Sequence, residues 1–334
     1  MLGPLANFSF ALRQRHDVRL YHNLDPFPAE LTHGALTIGN FDGVHQGHAQ
    51  IARQVRARAD QVGGPAVVFT FDPHPVRLLR PELAPPPLTW TRRKVELLGE
   101  LGIDAVIAYP TDKALLELSP EQFFQQIIVE KLQAKAMVEG PNFNFGKNRA
   151  GDTSTLAKLC SQYGIALDIV SPYTLPEETE FVSSSRIRKL IASGDVDTAR
   201  HMLTRPYRIR GMVTHGAGRG AQLGIPTANL EAVDTLVPAL GVYAGMGYRD
   251  EIVYPAAIHI GPNPTFGEQA RKLEVHLIGF DGSLYGEPLE VAFLSRLRDV
   301  TTFADVTALK QQLTADIARA EQIFTQYQQQ KLSR

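Results

Sequence analysis

At 334 residues, 44% of them hydrophobic and 21% charged, the chain has an ordinary globular composition and is long enough for two domains. Its 34 basic residues against 35 acidic ones leave a net charge of −1, which excludes a bulk electrostatic attraction to nucleic acid or anionic membrane. The single cysteine, Cys160, cannot form an internal disulfide, which suits a reducing cytosol, and it reads as a small buried apolar residue. The opening segment MLGPLANFSFALRQRHDVRL lacks the basic start and apolar core of a signal peptide. No stretch reaches the ~18–20 apolar residues that span a bilayer. A cytoplasmic protein is expected, monomeric or weakly self-associating, with no membrane or nucleic-acid partner.

The first half alternates strand and helix. Apolar runs at Ala35–Ile38, Ala66–Phe71, Ala105–Ala108, Ala136–Val138 and Ala166–Val170 are separated by helical patterns near 47–60, 91–101, 119–132 and 152–163. Ser119-Pro120-Glu121 supplies a cap and first turn to the third of these. Continuous apolar strands joined by helices predict a parallel sheet covered on both faces, a Rossmann-like α/β domain. Ligands of such sheets bind beyond the carboxyl ends of the strands. Three loops fall there, each just after an apolar strand: GNFDGVHQGH (39–48), TFDPHP (70–75) and GPNFNFGKNRAG (140–151). The proline-rich PELAPPPLTW (81–90) reads as an extended surface loop, because the alternation resumes after it.

The first loop carries the strongest chemistry. His45 and His48 stand three apart at the start of a helix, so one turn points both imidazoles in nearly one direction. Free N–H groups and the positive end of the helix dipole favour an anion there, and Gly39 and Gly43 let backbone approach a ligand closely. Phosphate binding competes with two other readings: a zinc half-site with His74 as a third ligand, and a capped surface helix without chemistry. Further on, VSSSRIRKLIASGD (182–195) offers serine hydroxyls and two guanidiniums to phosphate oxygens. Arg186 and Arg188 alone read as surface arginines; beside the histidine loop, the phosphate reading prevails.

Near residue 204 the style changes. Short strands follow at Tyr207–Val213, Gly241–Tyr248, Val253–Ile260, Lys272–Phe280 and Glu290–Leu297, with Asp281-Gly282 as a hairpin signal between the last two. A small closed barrel is predicted. An amphipathic helix near 303–328, with Leu309, Leu313, Ile317 and Phe324 on one stripe, is expected to pack against it. Domains of 1–200 and 201–334 follow. Within the second, GAGRGAQLGIPTANL (216–230) places Gly216, Gly218, Gly220 and Gly224 just before Pro226-Thr227-Ala228-Asn229. A glycine run alone is a weak signal. GVYA (241–244), PNPTFG (262–267) and LEVHL (273–277) follow it in order.

Taken jointly, GNFDGVHQGH, TFDPHP, GPNFNFGKNRAG and SSSRIR resemble the FMN adenylyltransferase (FAD synthetase) module of the bacterial bifunctional riboflavin kinase/FAD synthetases, over about residues 1–200. The glycine loop, PTAN, GVYA, PNPTFG and LEVHL are similar to the riboflavin kinase module of the same enzymes, a small Greek-key β-barrel, over about 205–330. The resemblance implies a transferase that uses MgATP twice, first to phosphorylate riboflavin to FMN and then to adenylylate FMN to FAD.

It also implies roles. Gly39, Asn40, Phe41, Asp42, His45, His48, Ser184, Arg186 and Arg188 would bind ATP for adenylyl transfer, with Asp42 as a Mg²⁺ or ribose contact. Phe71, Pro73, Pro75, Asn142 and Phe145 would line the flavin side. In the kinase module the glycines would hold phosphate, Thr227 and Asn229 would offer neutral oxygens to Mg²⁺ and nucleotide, and Tyr243 and Arg298 would touch flavin. A phosphate nucleophile is already anionic, but the ribityl hydroxyl must lose its proton, so a carboxylate base is needed in the kinase module alone. Glu274, in a strand between apolar Leu273 and Val275, is the candidate. Four positions depart from the common pattern: Asn142 for Asp, Ser185 for Thr, Ala221 for Arg and His259 for Asn. The last two bear on kinase rate.

Three rival functions are open to such a chain. A flavin-storage protein without turnover is opposed by the presence of Glu274, His45 and His48. A nucleotidyltransferase for another phosphorylated acceptor is opposed by the PTAN and Glu274 pair. A nucleic-acid-binding barrel is opposed by the neutral charge.

Overall fold

The computed structural model describes residues 18–216, 218–249, 251–262 and 270–333. The N-terminal reading before residue 18, Ala217 of the glycine run and nearly all of PNPTFG lie outside them. The chain forms two compact units: residues 13–85 with 89–184, and residues 86–88 with 185–334.

The first unit is a six-stranded sheet in the order β1-β4-β3-β2-β5-β6, with every pair parallel. Its strands are β1 (Arg19–Tyr21), β2 (Ala35–Ile38), β3 (Ala66–Phe71), β4 (Ala105–Tyr109), β5 (Ala136–Glu139) and β6 (Ala166–Ile169). Side chains of successive residues go to opposite faces, and both faces are buried. Leu36, Ile38, Phe69, Ile107 and Met137 pack with Phe123, Phe124, Ile128, Leu156 and Cys160. Ala35, Val68, Val106, Ala136 and Val138 pack instead with Ala52, Val55, Val95 and Leu98. The second set belongs to α1 (Gln46–Val62) and α3 (Thr91–Gly99), and α2 (Pro75–Leu79) lies between them in the chain. The first set brings α4 (Lys113–Glu117), α5 (Pro120–Phe123) and α6 (Thr153–Tyr163) to the other face.

Ser119 and Gln122 form a reciprocal capping box at the start of α5. The helix expected over 119–132 then changes its winding: α5 ends at Phe123 and Phe124–Lys131 is π-helical. The order β3-β2-β5 reverses direction at β2, so the crevice between the ends of β2 and β5 is the switch point of the sheet.

α7 (Ser184–Ser193) enters the second unit from Ser185 and is followed by α8 (Val196–Met202), which packs on the barrel, where Ser295 donates to Asp197 at 2.9 Å. The barrel is closed and antiparallel in the order β10-β11-β8-β7-β12-β9. Its strands are β7 (Tyr207–Thr214), β8 (Ala228–Glu231), β9 (Gly241–Arg249), β10 (Ile252–Gly261), β11 (Lys272–Leu277) and β12 (Pro288–Arg298). The PTAN segment thus starts a strand the sequence reading did not contain, and α9 (Arg219–Gln222) sits within the glycine run. The hairpin expected at Asp281-Gly282 is not one. β11 has both edges taken by β10 and β8, while β12 crosses to lie between β7 and β9. Barrel closure, not the local turn signal, decides that pairing. The last helix, α10 (Val306–Leu332), is capped by Asp305 and packs Phe324, with Ile323 and Tyr327, against Met246 and Leu294.

Candidate active sites

In the first unit, β2 delivers its chain into the loop Gly39–His45 at the switch point. Phe41, Gly43 and Val44 all have positive φ, at 46°, 84° and 37°. For Phe41 and the β-branched Val44 that conformation costs about 1–3 kcal/mol each, so surrounding contacts must over-determine it. They do. Gly39 N–H donates to Phe69 O (3.0 Å), and the Thr70 hydroxyl donates to Asn40 O (3.2 Å). Asp42 Oδ1 accepts from the backbone N–H and the hydroxyl of Thr89 (3.1 and 3.2 Å), Gly43 N–H donates to Thr89 Oγ1 (3.2 Å), and Ser184 Oγ donates to Asp42 O (2.8 Å). The Asp42 carboxylate is buried and turned into this network.

The loop ends on His45, which is the N-cap of α1; its Nδ1 accepts from His48 N–H at 3.4 Å. In the neutral form of His45 the proton is therefore on Nε2. The two imidazoles stack with centroids 3.7 Å apart and planes 17° from parallel, and Phe41 lies 4.9 Å from His48. Gly47 makes room for this, since a Cβ there would sit 3.3 Å from His45 Cε1. His74 is occupied differently: it caps α2, with Nδ1 accepting from Val76 N–H (3.1 Å). Among the described residues no group of three or more His, Cys, Asp or Glu converges as a metal site, so the zinc reading gains nothing.

Two buried charged-type groups here escaped the sequence reading. Lys94, in the first turn of α3, reaches Thr70 Oγ1 at 3.4 Å. Burial holds its pKa down, against the pull of Asp42 and Asp72. Glu139, the last residue of β5, accepts from Ile38 N–H at 2.8 Å, and burial pushes its carboxyl well above the ordinary range. Burial, with Glu139 next, raises the Cys160 thiol to about 12. Cys160 is a core residue, as expected.

The expected flavin-side residues are of two kinds. Phe71 ends β3 with its ring 5.4 Å from Phe69, and the Pro73 carbonyl accepts from the Thr111 hydroxyl (2.6 Å) in the turn that leads to Pro75. Asn142 is exposed in the loop after β5. Phe145, by contrast, is a core ring, 6% exposed; half-buried Phe143, stacked on it at 5.4 Å, is the ring of that pair nearer the surface. Ser184 closes the first unit. Arg186 and Arg188 follow on α7, in the second unit, where Arg188 Nε donates to Pro86 O at 3.0 Å.

In the second unit one cavity gathers Gly216, Gly218, Gly220, Thr227, Asn229, Glu274 and Arg298. β11 alternates buried Leu273, Val275 and Leu277 with Glu274 and His276 on the cavity side. Glu274 lies opposite Asn229 on β8 and opposite His259 on β10. Gly216 is required by close approach: a Cβ there would fall 2.1 Å from Asn229 Nδ2. His259 also lines the cavity, bonds Pro262 O at 3.2 Å and has its pKa lowered by burial, with Glu274 opposing. The Arg298 guanidinium meets the Asp316 carboxylate through Nε (3.0 Å) and Nη2 (2.8 Å), so α10 contributes a wall as well as packing. Two predicted residues stand apart. Gly224 lies in the turn after α9 and does not line the cavity. Tyr243 is wholly buried, its hydroxyl donating to Ala239 O (2.7 Å) and its ring edge-on to Phe293.

Comparison with known proteins bears on both units. The FAD synthetase family profile matches residues 28–186 and the riboflavin kinase profile residues 203–324. The bifunctional riboflavin kinase/FMN adenylyltransferase of Pseudomonas fluorescens is 38% identical over 304 residues, covering 91% of this chain and 96% of its own. Those of Escherichia coli K12 and Bacillus subtilis are 34% and 32% identical, covering 92% and 89% of this chain and 97% and 94% of theirs. A crystal structure from Streptococcus pneumoniae, described as a macrolide-efflux protein, superposes with a TM-score of 0.80 at 29% identity over 91% of this chain and 98% of that one. Among the described residues here, no helix is long and apolar enough to cross a membrane. The chain belongs to the bifunctional riboflavin kinase/FMN adenylyltransferase family.

Proposed function

We propose that the two transfers are divided between residues 1–200, which adenylylate FMN, and residues 201–334, which phosphorylate riboflavin. In the first, an FMN phosphate oxygen attacks the α-phosphorus of ATP; the new P–O bond forms as the bond to pyrophosphate breaks. The nucleophile is already anionic, so the protein needs no base, only in-line placement and stabilisation of the leaving group's charge. His45 and His48 take the ATP phosphates, with Gly39, Asn40 and Phe41 as the loop that approaches them, Asp42 and Ser184 holding that loop, and Arg186 and Arg188 assisting. Phe71, Pro73, Pro75 and Asn142 line the flavin side, backed by Phe145.

In the second transfer the ribityl 5′-hydroxyl gives its proton to Glu274 as its oxygen attacks the γ-phosphorus of ATP, and ADP leaves. Gly216, Gly218 and Gly220 present N–H groups to phosphate, and Gly224 lets the loop turn. Thr227 and Asn229 suit Mg²⁺: both are neutral oxygen donors on the cavity, and the space beside Asn229 is one a Cβ at position 216 would fill. Bound there, the ion would offset nucleotide charge. Arg298, fixed by Asp316, faces the flavin, and Tyr243 supports that wall from the core. The observation that carries the reading is the gathering of Glu274, Thr227 and Asn229 on one cavity beside the glycine loop.

We also infer a cytoplasmic enzyme, on the single cysteine that suits a reducing compartment, and expect it to be monomeric or weakly self-associating. A chromatographic time course of the purified protein with riboflavin, ATP and Mg²⁺ tests the whole scheme: FMN rises first and then converts to FAD. FAD formed only from supplied FMN would remove the kinase half, with Ala221 and His259 the first suspects. Tight flavin binding without turnover from either flavin would instead favour the storage-protein rival.

A further inference from the structure

β2 and β5 bound the crevice at the switch point, yet their ladder is short. Only Ala35↔Ala136 and Leu36↔Met137 are in register, whereas on its other side β2 pairs through all four residues with β3. At the missing rung, Ile38 N–H goes to the Glu139 side chain at 2.8 Å. Glu139 is 2% exposed and alternates onto the face of Met137, the face whose cluster includes Phe145. We propose that the Glu139 carboxyl is a positioning group for adenylyl transfer: it replaces the backbone ladder between β2 and β5 and so fixes the separation of the two strand ends on which the histidine loop and the 140–151 loop are mounted.

The surroundings agree. A buried N–H left without an acceptor is costly, so the Ile38 bond holds the carboxyl in place and the carboxyl holds the strand ends at side-chain length. The titratable group that faces Glu139 is Cys160 on α6, itself held protonated; among the described residues no charged side chain bears on the carboxyl. Burial raises the pKa of such a group and so favours its neutral acid, the form compatible with the phosphates of ATP and FMN nearby. Ionised, it would set an uncompensated charge beneath them.

The inference rests on the adenylyltransferase reading of this unit, and kcat/KM for FMN in FAD formation, followed from weakly acidic pH upward, tests both. E139V, which removes the acceptor, should lower kcat/KM for FMN by about tenfold while riboflavin phosphorylation by the same preparation stays at the wild-type rate. E139Q, which keeps an acceptor for Ile38 N–H, should rescue most of that loss, and its pH profile should lack the decline that ionisation of the wild-type carboxyl brings. An E139V enzyme at the wild-type kcat/KM, or an E139Q enzyme as impaired as E139V, would overturn the proposal. If E139V lost both activities through misfolding, E139Q alone would decide: a kcat/KM for FMN near the wild-type value upholds the proposal, and a loss of about tenfold overturns it. A wild-type protein that makes no FAD would overturn the reading of the site instead.

Discussion

His45 and His48 lie ring on ring, 3.7 Å between centroids, because His45 caps α1 through its Nδ1 while His48 stands one turn into the same helix. One residue thus both ends the strained loop and starts the helix whose N-terminus would meet the phosphates. H48A removes a donor and leaves the cap. FAD formation from FMN should fall by about 10²–10³-fold, the scale of one lost charge-stabilising donor. H45A removes donor and cap together, so it should cost at least as much and also lower the melting temperature. Riboflavin phosphorylation should be unchanged in both, which a paired assay of the two activities would reveal.

Glu274 has the converse signature. Across the ladder it faces Asn229 on one side and His259 on the other, on a cavity lined by the glycine loop. E274Q should depress FMN formation from riboflavin by roughly 10²–10⁴-fold, the worth of a general base. FAD formation from supplied FMN should stay at the wild-type rate. Equal loss of both activities would mean that the two sites are not separable.

The sequence showed more of the sheet than of the barrel, for physical reasons. β2, β3, β4 and β5 are buried on both faces and read as unbroken apolar runs. β1 is a three-residue edge strand and β8 reads Ala-Asn-Leu-Glu; neither has a period of its own, and both exist because a distant strand offers an edge. The loops were legible because sheet topology dictates where ligands go. Lys94 was not, since beside Arg92 and Arg93 it looks like one more solvated charge of a first turn, and only tertiary packing buries it. Glu139 was missed for a similar reason: an apolar run that meets a glutamate seems to have ended, and the expected strand stopped at Val138. Phe145 and Tyr243 fit a flavin contact by motif, yet their rings are spent on the core.

Arg298 and Asp316 join the barrel to α10 through two guanidinium nitrogens, with Gln312 also donating to the carboxylate (2.9 Å). Asp316 is 5% exposed, so D316A removes a buried carboxylate anchor and leaves the partly exposed Arg298 with its bond to Asp299 O (3.0 Å). Stability of the second unit in urea should drop by roughly 2 kcal/mol, the scale of lost charge-assisted hydrogen bonds. KM for riboflavin should rise because Arg298 is no longer held on the cavity wall. FAD formation from FMN below the unfolding transition should not change, and a change there would argue against assigning Arg298 to the kinase site alone.

Glu139 also gives a stability signature independent of catalysis. Its folded pKa is raised by burial, so the folded state binds the proton more tightly than the unfolded chain does. Below the ordinary carboxylate range both states are protonated and the native hydrogen bond is at full strength. As pH rises above that range the unfolded chain ionises first, and stability falls until the folded group ionises too. E139Q cannot titrate. Its melting temperature relative to wild type should therefore climb as pH rises above the ordinary carboxylate range and level off once the folded group ionises, as calorimetry at a series of pH values would record. A constant difference across the series would mean that the Glu139 carboxyl titrates normally in the folded protein, and the buried neutral acid at the switch point would have to be abandoned.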